Sequence, residues 1–466
     1  MNAPVLWVIL PLGVSIILFA LGSWKKTSFI IAVSSSLLFT VLTSVIPIGT
    51  PLHIGSMNIT ITDSFPFLGR QFILTTNDLP ILALVYGSLA FWLGAASIAD
   101  TPKAFLPVGM MMAAFLTAIL AVEPKLYAAI FIELVTLVSV LLLVMSGRTV
   151  GRGSIRFLVF QTLSMPLILY GGFILGQIES SQPQVELLSR ATISFGLGFV
   201  LLMGIFPFHT WLPLIMEEAN PYVASFLIYM FTLVNSIFIN TLINRYEWLQ
   251  ASPEVHIIIA TIGLIMILFG GISAVFQTHL GRIFASFALS EIGYTLITIG
   301  MPIEIGGSLF FALIIPRALS MAVWALGLAI IKNNYQSLNF TDLRGIFRHS
   351  PFAVSGLIIA QLSALGFPLL AGFPPRLPLW ATIVEENLWI ALILSIGTLG
   401  LFVSTARVAL ILFVGNSPAI PHNPENKIAR WFTVVGILGI LLLGIMPQII
   451  TPFVVRLLRM FQIMMP

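Results

Sequence analysis

The sequence contains no cysteine. That absence excludes disulfides, thiolate metal sites and cysteine-ligated iron–sulfur clusters together. Charge is nearly as scarce: 8% of the 466 residues are Asp, Glu, Lys or Arg, against about 25% in a soluble domain. So few charges cannot clothe a water-facing surface on a chain of this length. The six histidines are scattered without metal-ligand spacing. No dinucleotide fingerprint, phosphate-binding loop or nucleophile constellation occurs; "GRTVGRG" at 147–153 is glycine-rich but is a short basic gap with no strand before it. No cofactor and no metal are expected on this chain.

Apolar sequence fills the space. Hydrophobic residues make up 58% of the chain and the mean hydropathy is +1.07, so the solvent facing most of it must be lipid. A helix crossing ~30 Å of hydrocarbon needs roughly 20 apolar residues. Such runs fall near 4–22, 28–47, 79–99, 104–122, 126–146, 155–177, 192–214, 222–244, 256–276, 282–300, 307–331, 353–371, 388–414 and 431–450. The expectation is therefore an all-α polytopic membrane protein of about fourteen transmembrane helices. The apolar start has no basic n-region and no cleavage site, and is read as the first span rather than a signal peptide.

The net charge is +4, but the basic residues sit in short gaps between spans and form no block, which argues against nucleic acid. With the N-terminus placed outside, thirteen Lys and Arg residues fall in cytoplasmic gaps and six on the other side, leaving Arg317 and Arg376 inside or beside spans. This bias puts both termini on the outer side. Residues 50–78 alternate apolar and polar residues around Gly and Pro, as in an external β-hairpin. Residues 332–350 read as a polar cytoplasmic loop, 377–387 as a short helix, and 452–466 as a segment along the membrane surface.

Polar groups inside spans are costly, so each is a functional candidate. Glu133 lies mid-span in "AAIFIELVTLVSVLL". A carboxyl that alternates between its two forms is a natural proton relay; the bland alternative is a neutral Glu hydrogen-bonded to a neighbouring helix. Glu291 and Arg317 lie in two further spans, where they either neutralise one another or take part in conduction. Arg376 sits near a span end, where snorkelling to the interface is the simplest reading. Two spans are interrupted, by Pro207 and Pro213 in one and by Gly366, Pro368, Gly372, Pro374 and Pro375 in the other. Paired interrupted helices point to an ion site in an inverted-repeat transporter. His209 follows the first break and is a further proton-handling candidate.

Together these segments resemble the antiporter-like membrane subunits shared by respiratory complex I, membrane-bound hydrogenases and the Mrp-type multisubunit cation/proton antiporters. The most specific match is "PFHTWLP" at 207–213, followed by "EEANPYVAS", similar to the family's usual "VEAPTPVSA". "FIELVTL" at 131–137 resembles the fifth-helix motif, "GRIFASFALSEIGY" at 281–294 resembles "KRLLAYSSVSHMGY", and "LSALGFPLLAGFPPR" at 362–376 resembles the broken twelfth helix. The resemblance implies two inverted five-helix repeats, at 104–244 and 256–414. It also implies a membrane subunit without a redox centre of its own, in an NADH- or ferredoxin:quinone oxidoreductase-type translocase or a related antiporter. Its partners would be other membrane subunits, the lipid bilayer and protons or Na+, in a bacterial cytoplasmic membrane or a thylakoid.

Carried over residue by residue, the acidic member of the family's Glu–Lys pair is Glu133. The seventh-helix lysine position holds Leu202, and the eighth-helix one falls at or beside Leu233. In the eleventh helix Arg317 stands for the family's histidine and Met321 for its lysine. Arg376 takes the terminal lysine position and Glu291 that of a common tenth-helix His or Gln. Burial can bring a lysine pKa toward neutrality, whereas Arg stays protonated and Leu and Met carry no proton. Two readings follow: a subunit contributing to redox-linked proton or cation translocation, or a degenerate, non-conducting scaffold of such an assembly.

Overall fold

A computed structural model describes all residues except 1, 23, 55–56, 145–149, 180–184, 416–424 and 463–466. The chain divides into two compact units. One comprises residues 1–94, 102–211 and 237–242; the other comprises 95–101, 212–236 and 243–466. It is an integral, multi-pass membrane protein: among the described residues ten helices are long and apolar enough to span a bilayer.

In the first unit a π-helical turn, Val5–Ile9, runs into α1 (Leu10–Ala20). There follow α2 (Lys25–Val45), α3 (Leu79–Gly94), α4 (Phe105–Ala121), α5 (Ala128–Leu143), α6 (Arg152–Glu179) and α7 (Val185–Leu202). The expected span at 192–214 is not one helix. α7 stops at Leu202, a 3-10 turn covers Phe208–Thr210, and α8 (Trp211–Glu218) begins beyond it. The break turns on Gly204, whose φ of +61° is one that L side chains rarely adopt.

The segment at 50–78 carries two hairpins rather than one. β1 (Pro51–Ile54) pairs with β2 (Met57–Thr60), and β3 (Ser64–Phe67) with β4 (Arg70–Ile73). The second hairpin closes through Leu68 and Gly69, both with positive φ, which is the two-residue turn whose twist suits paired strands. β5 (Val122–Glu123), arriving much later in the chain, adds to β4 as a third strand. Local alternation reveals a hairpin, but not a strand recruited from beyond α4. Beside it Lys125 is buried. Its Nζ donates to the Leu120 carbonyl at 2.5 Å and lies 3.3 Å from the Glu123 carboxylate. Lys125, one of the six basic residues counted on the outer side, is thus buried and tied to partners. Arg148, counted on the cytoplasmic side, lies outside the described residues.

The second unit holds α9 (Pro221–Arg245), which also supplies a short stretch to the first, then α10 (Glu247–Gln250), α11 (Pro253–Phe276) and α12 (Leu280–Gly300). Next come α13 (Ile303–Tyr335), α14 (Pro351–Leu365), α15 (Phe373–Glu386), α16 (Leu388–Phe413), α17 (Lys427–Ile445) and α18 (Thr451–Gln462). Asn220 caps α9 by accepting from the Tyr222 and Val223 amides, with Pro221 at the first helical position.

α12 is the buried axis of this unit. Every residue from Leu280 to Ile299 except Arg282 is buried, whereas α11 exposes Ile257, Ile258, Ile265, Ile272 and Phe276. A helix apolar on all sides belongs inside a bundle, and one with an exposed apolar stripe faces lipid. Small residues allow the close packing: a Cβ on Gly271 of α11 would fall on the Gly397 carbonyl of α16.

The polar stretch at 332–350 is ordered, not a free loop. α13 continues to Tyr335, Leu338, Phe340, Leu343 and Ile346 are buried, and the Leu280 amide donates to the Leu338 carbonyl at 2.9 Å. The short helix expected at 377–387 begins earlier, at Phe373. α18 packs against α13 and buries Leu457 while Val455 stays exposed.

Candidate functional site

In the second unit, three helices bring together the ionisable groups singled out in the sequence. α12 presents Glu291. α13, which carries Pro316 inside it, presents Arg317, Ser320 and Met321. The third contribution comes from the break between α14 and α15, where Gly366 (φ +76°) ends α14 and Arg376 lies in the first turn of α15.

Arg317 Nε donates to Glu291 Oε2 at 2.7 Å, its Nη2 donates to the Glu291 carbonyl at 2.8 Å, and its Nη1 donates to Thr295 Oγ1 at 2.8 Å. Arg376 Nη2 donates to the other carboxylate oxygen, Glu291 Oε1. The Arg376 guanidinium lies 4.0 Å from the centroid of the Tyr294 ring, a cation–π arrangement. All three charged side chains are buried, Arg376 being 4% exposed. Arg376 is therefore not a snorkelling interfacial cation. The loop after α14 folds it back onto α12, which no local reading of "GFPPRLPLW" reveals. The suggested Glu291–Arg317 pairing is present, extended to a triad.

Burying charges costs several kcal/mol per ion unless geometry and hydrogen bonds compensate. Here the carboxylate accepts on both oxygens and Arg317 donates through all three nitrogens. Ser320 and Ser363 share a hydrogen bond of 2.8 Å beside the triad, and the Gly372 amide donates to Ser363 Oγ at 3.2 Å. A small cavity is lined by Glu291, Arg317, Arg376, Ser320, Ser363 and Met321, among others. Met321, at the position where the resemblance places a lysine, gives this cavity an apolar wall.

The first unit is built differently. Glu133 on α5 is half-buried, and its Oε1 accepts from Thr162 Oγ1 of α6 at 2.8 Å. Its Oε2 is buried without a hydrogen-bond partner among the described residues. The neighbouring Gln161 sends Nε2 to the Leu202 carbonyl at 3.0 Å, meeting a carbonyl at the end of α7. Adjacent α6 residues thus join Glu133 to Leu202, whose side chain is buried and apolar. His209 is held by its turn, stacked on Phe206 with ring centroids 5.6 Å apart. Leu233, which belongs to the second unit, is buried within α9.

Thr162, Gln161, Thr295, Tyr294, Ser320 and Ser363 are site residues that sequence reasoning passes over. Thr295 follows Glu291 at the i, i+4 spacing that puts two side chains on one helix face, and Gln161–Thr162 is a polar pair inside an apolar run. Those were the available signals.

The comparisons with known proteins agree with one another. The family model described as NADH:quinone oxidoreductase/Mrp antiporter, transmembrane, matches residues 125–402, more than half of the chain. NADH-quinone oxidoreductase subunit N of Desulforamulus reducens is 24% identical over 313 residues, 64% of this chain and 64% of that protein, so the matched stretch spans just under two thirds of that relative. Subunit N of an Azoarcus species is 23% identical over 408 residues, 78% of this chain and 80% of that one. Among solved structures, a chain of respiratory complex I from Thermus thermophilus superposes with a TM-score of 0.80 at 18% identity, covering 99% of this chain and 100% of that one. A chain of the Mrp complex from a Dietzia species gives 0.79 at 15% identity, covering 100% and 99%. These structural likenesses establish the fold, and the family match establishes descent. This chain belongs to the NADH:quinone oxidoreductase/Mrp antiporter family of transmembrane subunits.

Proposed function

We propose that this chain is an antiporter-like membrane subunit of a complex I-related or Mrp-related assembly, and that it contributes to redox-linked proton (or cation) translocation. The observation that carries the reading is Glu133, with one oxygen held by Thr162 and the other buried without a protein partner among the described residues. A carboxyl held on one side only can take up and pass on a proton, while Glu291 is held on both oxygens by two guanidiniums. In this reading Glu133 is the relay, His209 an accessory proton carrier, and Glu291, Arg317 and Arg376 a fixed charge cluster on the pathway.

The reading extends to the chain's setting. The two inverted repeats lie at 104–244 and 256–414, both termini lie outside, and the membrane is a bacterial cytoplasmic membrane, a thylakoid being the alternative. The chain binds no cofactor, and electrons are handled by partner subunits. The test is Glu133→Gln in the assembled complex, reconstituted into liposomes and assayed for proton pumping. Loss of pumping with intact assembly is expected; unchanged pumping overturns the Glu133 relay.

A second reading, a non-conducting scaffold, is favoured by one specific observation: Leu202, Leu233 and Met321 bury apolar side chains where the resemblance places proton-carrying lysines. It expects deletion of the chain to break up the complex, whereas a complete complex lacking only pumping counts against it.

A further inference from the structure

The buried triad does not balance. One carboxylate faces two guanidiniums, which leaves a net charge of +1. The ionisable groups acting on Arg317 are Glu291, Arg376 and the Tyr229 phenol, and a phenol is neutral at physiological pH. Among the described residues Glu291 is the carboxylate paired with both guanidiniums, and no second one pairs with either. The excess also has an address. Arg376 Nη1 is buried with no hydrogen-bond partner among the described residues, although the side chain is 5% exposed. Arg376 lines the same cavity as Ser320 and Ser363, whose shared hydrogen bond leaves one hydroxyl hydrogen as a further donor.

The backbone adds to this. α15 is a fourteen-residue helix whose N-cap, Gly372, supplies no side-chain acceptor. Gly372 and Pro375 both line the cavity, so the positive end of the helix dipole lies at it. The last turn of α14 is closed by its own bonds, Gly366 N to Ser363 O at 2.9 Å and Phe367 N to Leu362 O at 3.0 Å. The Gly372 amide is taken by Ser363 Oγ, the Phe373 amide by the Leu370 carbonyl, and Pro374 and Pro375 carry none, so the helix end contributes its dipole and not free amide donors.

We infer that the cavity between Arg376, Ser320 and Ser363 is a binding site for one small monovalent anion of halide size, which neutralises the excess charge of the Glu291–Arg317–Arg376 triad. A water would satisfy the Nη1 hydrogens but leave the charge, and an uncompensated buried charge is the costly case. The space holds an object of about one to two waters, which admits chloride or bromide and excludes a lipid headgroup or an organic acid. The wall formed by Leu313, Pro316, Met321 and Ala364 suits a weakly hydrated anion. The site is independent of whether Glu133 conducts.

The test is thermal unfolding of the purified full chain in sodium chloride, sodium bromide and sodium gluconate at equal ionic strength. Both halides are expected to raise the melting temperature saturably, by about 2 °C or more over gluconate. Arg376→Gln leaves a balanced Glu291–Arg317 pair and is expected to abolish the halide response; Arg376→Lys keeps the charge and is expected to retain it. Equal melting of the unaltered chain in all three salts overturns the site, as does a halide response that survives Arg376→Gln. Should Arg376→Gln not accumulate as folded protein, bromide anomalous diffraction from the unaltered chain decides. A bromide peak within hydrogen-bond distance of Arg376 Nη1 is expected, and water alone at that position overturns the proposal.

Discussion

Glu133 and Glu291 both lie within membrane-spanning helices, and the chain treats them in opposite ways. Glu133 in the first unit is held by one hydroxyl, with one oxygen lacking a protein partner among the described residues. Glu291 in the second is gripped on both oxygens by two arginines and is almost completely buried. The residue type is the same, but the chemistry is set by the partners. Removing the negative charge between two guanidiniums leaves two buried cations without a counter-charge, whereas a single hydroxyl donor ties its carboxyl by one neutral hydrogen bond.

The comparison breaks first at Glu291. Glu291→Gln leaves two guanidiniums without a counter-charge and is expected to destabilise the chain by about 3–5 kcal/mol or more, read as loss of folded protein or a large drop in melting temperature. The triple change Glu291→Leu, Arg317→Met, Arg376→Leu removes every charge and is expected to melt above Glu291→Gln alone. Next in size is Arg317→Gln. It leaves the Glu291–Arg376 pair intact, so its expected cost is below about 3 kcal/mol, measured in the same melt.

Glu133→Gln sharpens the other side. Its expected effect on stability is within about 1 kcal/mol, so melting separates it from the Glu291 variant even before pumping is assayed. Thr162→Ala removes the single hydroxyl donor and is expected to cost about 1 kcal/mol, with the effect cancelled in the Glu133→Leu background if the pair acts as a unit.

A third buried carboxylate, outside the spans, provides the smallest test. Glu425 caps α14 by accepting from the Ala353 amide at 2.9 Å and the Phe352 amide at 3.4 Å. Burial pushes its carboxyl above the usual 4.5, against those two amides and Arg430, which pull it down. The native state therefore holds the proton more tightly than the unfolded chain. The contribution of this group to stability is greatest below 4.5 and is lost as pH rises through the raised value. A melt followed upward from pH 4 is expected to show this loss, and Glu425→Gln to flatten it.

The membrane class, the run of spans and the two broken helices were legible because hydropathy and proline placement are local and their energetic cost in lipid is large. Glu133, Glu291, Arg317 and Arg376 stood out for the same reason. The grouping did not. Arg376 lies 85 residues from Glu291, and its burial follows from a loop that doubles back after Gly366, not from its neighbours in sequence. The burial of Lys125 and its contact with Glu123 were not legible either, because Glu123 lies on β5, which joins β4 from far along the chain.

The sequence by itself determined that the chain lives in lipid and which residues could carry charge there, and it holds no lysine at Leu202, Leu233 or Met321, where the resemblance places one. Only the tertiary structure decided which of those charges neutralise one another. Electrostatic partnership depends on separation in space and on burial, and both are fixed by how α12, α13 and the broken α14–α15 segment pack. That packing pairs Glu291 with two arginines, while in the first unit Glu133 keeps one oxygen without a partner among the described residues.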